Sequence, residues 1–421
     1  MRYEDYIESC CFLFFRVIII RLDFIIYMLI MKIVYLSNYF NHHQKPLADE
    51  MYAELGDGNY FFVETTGVPE FRKRLGYKET TAPYVLKYDG DLITKVNNLI
   101  MEADAVIYGE APLSLIKHRL KSGKLTFRDD ECRYRTISRY LKWPIYTYKS
   151  FFLNKGYLLC ASAFGCRDYY VSGMNPNKCF RWGYFTEVKR YDNIEKLISS
   201  KSSKLKHCEE VSILWVGRFI RLKHPELPIK VARMLKDNGI GFHLTMIGTG
   251  ILENKLRRMV AKAGVQDNFS FLGSMPPQEV RLYMEKSDIF LFTSDRNEGW
   301  GAVLNEAMNS ACAVVASPVI GSAPYLIKDK HNGLFFKDQD PIDLYKKVKW
   351  LVENPKERKE MQKNAYTTMS QTWCPKNASK KIINLVSQLI NNEDTKINEG
   401  PCSKAPLLYR NWYKSQLNAN R

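Results

Sequence analysis

Ile289-Phe290-Leu291-Phe292-Thr293-Ser294-Asp295-Arg296-Asn297-Glu298-Gly299-Trp300-Gly301-Ala302-Val303-Leu304-Asn305-Glu306 reads as strand, loop and helix in that order. The apolar run 289–293 is short and bounded by polar residues, the mark of a strand covered on both faces. Gly299 and Gly301 free the loop backbone, and apolar residues return at helical spacing over 302–309. A strand that feeds a helix through a glycine-containing loop is the building unit of a parallel sheet covered by helices, an α/β architecture.

The same unit recurs on both sides. Strands are expected at 212–216, 243–247, 269–272, 313–316 and 333–336, with helices at 225–238, 253–263 and 277–287. Gly239 and Gly264 stand where helices stop. Upstream, a first series has strands at 33–36, 60–63, 105–108 and 157–161. Between the series, 193–210 is polar and Lys/Ser-rich, with no apolar periodicity to bury it, and reads as a linker. The expected organisation is therefore an apolar extension (1–30), a doubly wound domain (31–195), a linker (196–210), a second doubly wound domain (211–375), and a C-terminal helix with a polar tail containing Tyr409, Trp412 and Tyr413 (376–421). A chain of 421 residues suits two such cores. Ligands of such sheets sit in the crevice at the carboxyl ends of the strands, here a cleft between the domains.

Composition narrows the partners. With 46% hydrophobic and 25% charged residues the chain is globular, and a formal charge of +17 calls for an anionic partner: nucleic acid, phospholipid or a phosphorylated small molecule. No finger spacing, RNA-recognition motif or basic zipper is present, so no nucleic-acid partner is expected. None of the ten cysteines forms a C-x-x-C pair, which fits reduced thiols in the cytoplasm. The apolar stretch 11–30 is interrupted by Arg16, Arg21 and Asp23, too charged for a spanning helix. Two readings of residues 1–30 remain, a helix lying on a membrane surface or sequence upstream of a domain that begins at Met31. The second is slightly favoured, because 31–37 forms a complete first strand that starts at a methionine.

The chemistry-bearing residues follow strands. After 212–216 come Gly217, Arg218 and Lys223, two cations placed to grip a diphosphate, the alternative being solvated surface charges. After 289–293, the helix start near Ala302 and Val303 offers N–H groups to phosphate or sugar oxygens, and Glu298 and Glu306 bracket it. Their backbones are about 10 Å or more apart along the axis. That spacing suits two hydroxyl-bearing groups of one long ligand rather than a glycosidase pair. Asp89-Gly90-Asp91 and Asp338-Gln339-Asp340 match a short metal-binding tripeptide, but it arises easily by chance and the second precedes a helix at Pro341, where acids cap. Gly248-Thr249-Gly250 begins a dinucleotide fingerprint that fails at Glu253.

Taken in order, Gly217-Arg218-x4-Lys223, Gly248-Thr249-Gly250, Phe271-Leu272-Gly273, and Glu298 and Glu306 resemble the pattern of retaining glycosyltransferase family 4, and the wording of 292–301 is similar to bacterial surface-polysaccharide transferases. The resemblance implies the GT-B fold, two facing Rossmann-like domains, and catalysis without a bound metal or permanent cofactor. It implies that Arg218 and Lys223 bind the diphosphate of a nucleoside diphosphate sugar and that Glu306 holds the ribose. Glu298 would hold the transferred sugar, while the backbone of Gly299, Trp300, Gly301, Ala302 and Val303 lines the phosphates and Gly217, Gly248, Gly250 and Leu272 complete the donor pocket. The expected reaction is retaining sugar transfer to a polysaccharide, lipopolysaccharide or lipid-linked acceptor, at or near the cytoplasmic face of a membrane. The rivals are a nucleotide-sugar epimerase or hydrolase of the same fold, and a catalytically silent membrane-associated scaffold. On the acceptor side the loop 38–46 lacks the expected glycines. His42, His43, Glu110 and the charged run Arg128-Asp129-Asp130-Glu131-Cys132-Arg133 are candidates to line the cleft, with solvated loops as the alternative; general-base work is not assigned to either histidine.

Overall fold

The computed structural model describes residues 31–73, 79–131, 156–201, 210–409 and 411–413. The 1–30 extension, Cys132 and Arg133 of the charged run, and residues 202–209 of the expected linker lie outside the described residues. Two wholly parallel sheets organise the chain as two Rossmann-like domains. Among the described residues the first holds β1 (Ile33–Ser37), β2 (Tyr60–Glu64), β3 (Val85–Lys87), β4 (Ala105–Tyr108), β5 (Thr126–Asp130), β6 (Gly156–Cys160) and β7 (Cys179–Arg181), in the order β3-β2-β1-β4-β5-β6-β7. The second holds β8 (Val211–Val216), β9 (Phe242–Ile247), β10 (Phe269–Phe271), β11 (Ile289–Phe292), β12 (Ala313–Ala316) and β13 (Leu334–Phe335), in the order β10-β9-β8-β11-β12-β13. Helices cover both faces, so β1, β4, β11 and β12 are buried at every position.

Both orders reverse direction once, between β1 and β4 and between β8 and β11. At such a point the chains leaving two neighbouring strands diverge to opposite faces and open a crevice at their carboxyl ends. The loops after β1, β4, β8 and β11 therefore make the cleft.

Strands β3, β5 and β7 are absent from the sequence reading, and β5 is the instructive case. Thr126-Phe127-Arg128-Asp129-Asp130 looks like a solvated loop, yet it is an interior strand paired to β4 and β6. Its charges are tolerated because each has a partner. Arg128 donates from Nη1 to the Gly109 carbonyl at 2.6 Å, lies over the Tyr108 ring at 4.7 Å and stands 3.6 Å from Asp130. Tyr35 donates to Asp129, and Tyr169 to Asp130.

The segment expected to have nothing to bury is also corrected. Asn193 caps a helix, Ile194–Ser199, by accepting from the Lys196 N–H at 2.8 Å. Lys201 then enters the second domain at 1% exposure. Its ammonium donates to the carbonyls of Met284 (3.0 Å), Glu285 (3.2 Å), Ser287 (2.9 Å) and Ser310 (2.9 Å), neutralising the C-terminal ends of two helices at once.

The C-terminal residues do not hang free of the domains. Helix Pro375–Ile390 packs on Lys45–Leu55 of the first domain. The chain beyond it pairs with β7, through Cys402 N–H to Arg181 O at 2.8 Å and Arg181 N–H to Ser403 O at 2.7 Å. Tyr413 reaches the second sheet, donating to Phe335 O at 3.1 Å. Among the described residues no helix is long and apolar enough to cross a membrane.

Candidate active site

A cleft of about 590 Å³ lies where the two crevices face each other. From the first domain it is lined by Ser37 and Asn38 at the end of β1, Glu110 after β4, Asp129 and Glu131 at the end of β5, and His43 and Tyr184. From the second it is lined by Arg218, Leu222 and Lys223 after β8 and by residues 297–303 after β11.

The loops after β8 and β11 are bonded together before any side chain reaches the cleft. Asp295 N–H donates to Leu222 O at 2.8 Å, and Thr293 Oγ1 to Lys223 O at 2.7 Å while accepting from Trp215 Nε1 at 2.8 Å. That register brings Lys223 against Glu298, residues 75 apart in sequence, and the ammonium donates to Glu298 Oε2. Both side chains are largely buried, with 14% and 13% exposed, so the pair is poorly screened. Arg218 is exposed at the cleft beside them.

Of the residues singled out by sequence, Arg218, Lys223, Glu298, Gly299, Trp300, Gly301, Ala302, Val303, His43 and Glu110 line this cleft, whereas Gly217, Gly248, Gly250, Leu272, Glu306 and His42 lie outside its lining. Gly248 and Gly250 have φ of 138° and 158°, and side chains there would strike the backbones of Gly217 and Phe219. They serve the β8 loop by letting it lie flat on the β9 loop, where Phe219 N–H donates to Thr249 O at 2.8 Å. Trp300 is at 1% exposure, its indole packed on Tyr184, Tyr325 and Trp373, so its ring belongs to the core beneath the cleft rather than to a ligand face. Gly299 abuts Glu131 of the opposite domain, a close approach of protein to protein.

Glu306 sits on the first turn of helix Val303–Asn309. Its side chain is half-buried, and that burial pushes its pKa up from 4.5 to about 7 against the pull of Arg281. Burial likewise raises Asp129 from 3.8 to about 7, although the Tyr35 hydrogen bond opposes it. Asp129, Tyr35, Asn38 and Tyr184 are cleft residues that sequence reasoning did not single out individually. The available signal was the β-prone Leu125-Thr126-Phe127 directly before the charged run. Asp340 caps the helix at Pro341 by accepting from Ile342 and Asp343 N–H at 2.9 and 3.2 Å, as its place before a proline predicts. Among the described residues no cluster of three His, Cys, Asp or Glu could hold a metal ion.

Two facing Rossmann-like domains with the site at their paired switch points define the GT-B class. Residues 198–368, which contain the second sheet, match the model of the family described as glycosyl transferases group 1. Among curated relatives, the amylovoran biosynthesis glycosyltransferase AmsK of Erwinia amylovora is 32% identical over 137 residues, covering 31% of this chain and 33% of its own. A Campylobacter jejuni α-1,4-N-acetylgalactosaminyltransferase, whose name gives an undecaprenol diphosphate-linked glycan, is 29% identical over 158 residues, 37% of this chain and 43% of its own. The chain spans about half or less of the length of the curated relatives it matches. Anabaena HepE, solved in complex with UDP, superposes with a TM-score of 0.65 at 15% identity over 85% of this chain and 100% of that one, a likeness of fold.

Proposed function

We propose that the chain is a retaining glycosyltransferase that moves a sugar from a nucleoside diphosphate sugar to a polysaccharide, lipopolysaccharide or lipid-linked acceptor. The observation that carries the reading is the contact of Lys223 with Glu298 in the cleft. It joins a cation suited to phosphate and a carboxylate suited to sugar hydroxyls, read separately from two segments. Arg218 beside the pair is free to meet an incoming diphosphate and offers a planar fork for two of its oxygens. When phosphate takes the Lys223 ammonium, Glu298 is released to accept from sugar hydroxyls, so donor binding itself arms the carboxylate. The two cations supply the positive charge that a departing phosphate needs without a permanent cofactor or metal. No protein nucleophile is assigned; retention rests on the likeness to family 4, with the leaving phosphate taking the acceptor proton.

Glu306, half-buried at the helix start, is the proposed ribose ligand, and the first-domain wall is the acceptor side. The names of the relatives support a glycan or lipid-linked acceptor, and the charge of +17 supports contact with the cytoplasmic face of an anionic membrane.

The test is turnover of a panel of nucleotide sugars, with and without acceptor, by the wild type and by Glu298→Gln, Lys223→Ala and Arg218→Ala. Each variant is expected to lose about 100-fold or more in kcat/KM. Near-native rates in all three would sink the assignment, and acceptor-independent consumption of donor would favour an epimerase or hydrolase. Sedimentation with anionic vesicles tests the membrane contact, which fails if the protein stays in the supernatant at low salt.

A further inference from the structure

Helix Val303–Asn309 carries two asparagines one turn apart, Asn305 and Asn309, and both are buried, at 0% and 1% exposure. Asparagine is a poor helix former, and a buried amide is costly unless its donors and acceptor are used. Here both amides face the chain that leaves β7 for the second domain. Asn309 Oδ1 accepts from Lys189 N–H at 2.9 Å, and its Nδ2 donates to Lys189 O at 3.3 Å. Asn305 Nδ2 donates to Tyr184 O at 2.8 Å, and its Oδ1 accepts from the Trp300 indole N–H at 2.9 Å.

Asn305 thus joins two things that meet in the cleft. Through Trp300 it holds the loop of Glu298 and Gly299. Through the Tyr184 carbonyl it holds a residue whose hydroxyl donates to Glu131, the side chain lying against Gly299 from the other domain. Trp300 fits only because Gly183, next to Tyr184, has no side chain; a Cβ there would enter the indole ring. The donor loop and the opposite wall are therefore referenced to one buried amide.

We propose that Asn305 is a positioning residue that sets the Glu298 loop and the Tyr184–Glu131 edge at a fixed separation. This makes Tyr184 and Glu131 the edge against which the acceptor hydroxyl is aligned with the donor sugar. The inference rests on the transferase reading above. Misalignment of two reactants by about 1 Å can cost on the order of 100-fold in rate while leaving the binding of either one intact.

Two variants test it. Asn305→Ala removes both hydrogen bonds, and Trp300→Phe deletes the N–H that Asn305 receives together with the five-membered ring that carries it. Transfer to acceptor is expected to fall in kcat about 10- to 100-fold in Asn305→Ala and less in Trp300→Phe, with donor KM and nucleoside diphosphate affinity within about twofold of wild type. Wild-type kcat in both variants, or loss of nucleotide affinity in step with kcat, would overturn the proposal. Hydrogen exchange gives a readout that does not need turnover. Asn305→Ala is expected to speed exchange at both 183–186 and 298–301 while the first sheet stays protected, and uniform loss of protection would mean the amide serves folding alone. If the wild type processes no nucleotide sugar, the parent reading fails by itself, and the paired exchange response still decides whether Asn305 couples the two segments.

Discussion

At the scale of single residues, two features show how much of the chain's polarity is structural. Arg119 is wholly buried, yet every nitrogen is used: Nε donates to Thr126 Oγ1 at 3.3 Å, Nη1 to Ile100 O at 2.7 Å and Ala103 O at 2.8 Å, and Nη2 to Asp104 O at 3.1 Å and Leu125 O at 2.7 Å. Arg119→Met, similar in length, would withdraw a donor from each of these acceptors, of which Leu125 O keeps a second, the Val106 N–H at 3.2 Å. A loss of about 3 kcal/mol or more is expected, read as a lower urea midpoint at unchanged slope. Glu306 and Asp129 have the opposite character, since nothing compensates their burial fully. Folding raises both pKa values to about 7, from 4.5 and 3.8, so the folded protein binds more protons than the unfolded chain between those limits. Their contribution to stability is complete below about pH 4 and is lost as pH rises through about 7. Unfolding free energy should therefore fall between about pH 4 and 7 in the wild type and fall less in Glu306→Gln/Asp129→Asn, as denaturant titration at each pH would show; parallel profiles would contradict the assignment.

At the scale of elements, the glycine loop after β9 predicts its own sensitivity. Gly248 lies at φ 138° against the Gly217 backbone, so Gly248→Ala must push the β8 loop and with it Arg218 and Lys223. Nucleotide affinity measured by calorimetry should fall about tenfold with the circular dichroism spectrum unchanged. The second domain was largely legible in sequence because its strands are short apolar runs whose only chemistry is burial: 313–316 is found as read, and 289–293 ends one residue earlier, at Phe292. That the loops after β8 and β11 line the cleft was legible for a related reason, since loops at the carboxyl ends of parallel strands converge there. β5 was not, because Arg128, Asp129 and Asp130 become strand residues only when Gly109, Tyr108, Tyr35 and Tyr169 arrive from distant segments. The burial of the Trp300 ring was not legible for the same reason: only Gly183 and Asn305, from other segments, make it core.

At the scale of the whole molecule, the return of helix Pro375–Ile390 to the first domain was not legible, since an amphipathic helix does not name the face it will cover. It shares one apolar cluster with Met51 at 1% exposure and Leu47 at 8%, so a chain ending at Cys374 should uncover part of that cluster. Such a truncation is expected to lower the thermal midpoint of the first domain and to bring early proteolysis at 40–60, whereas unchanged digestion would show that the domain stands without it. The backbone consequently passes between the domains twice, near 182–193 and near 367–375. The passages run side by side: Tyr191 N–H meets Tyr366 Oη at 3.3 Å, and the Phe185 and Trp373 rings stack at 6.3 Å. A π-helical turn, Thr368–Thr372, occupies the second passage, a place where helical hydrogen bonding is already loosened. Two covalent connections held in register act like the two pins of a door. They favour a swing of the lobes about the line joining them and resist twist and lateral slip, so any opening and shutting of the cleft lies along one rotational coordinate.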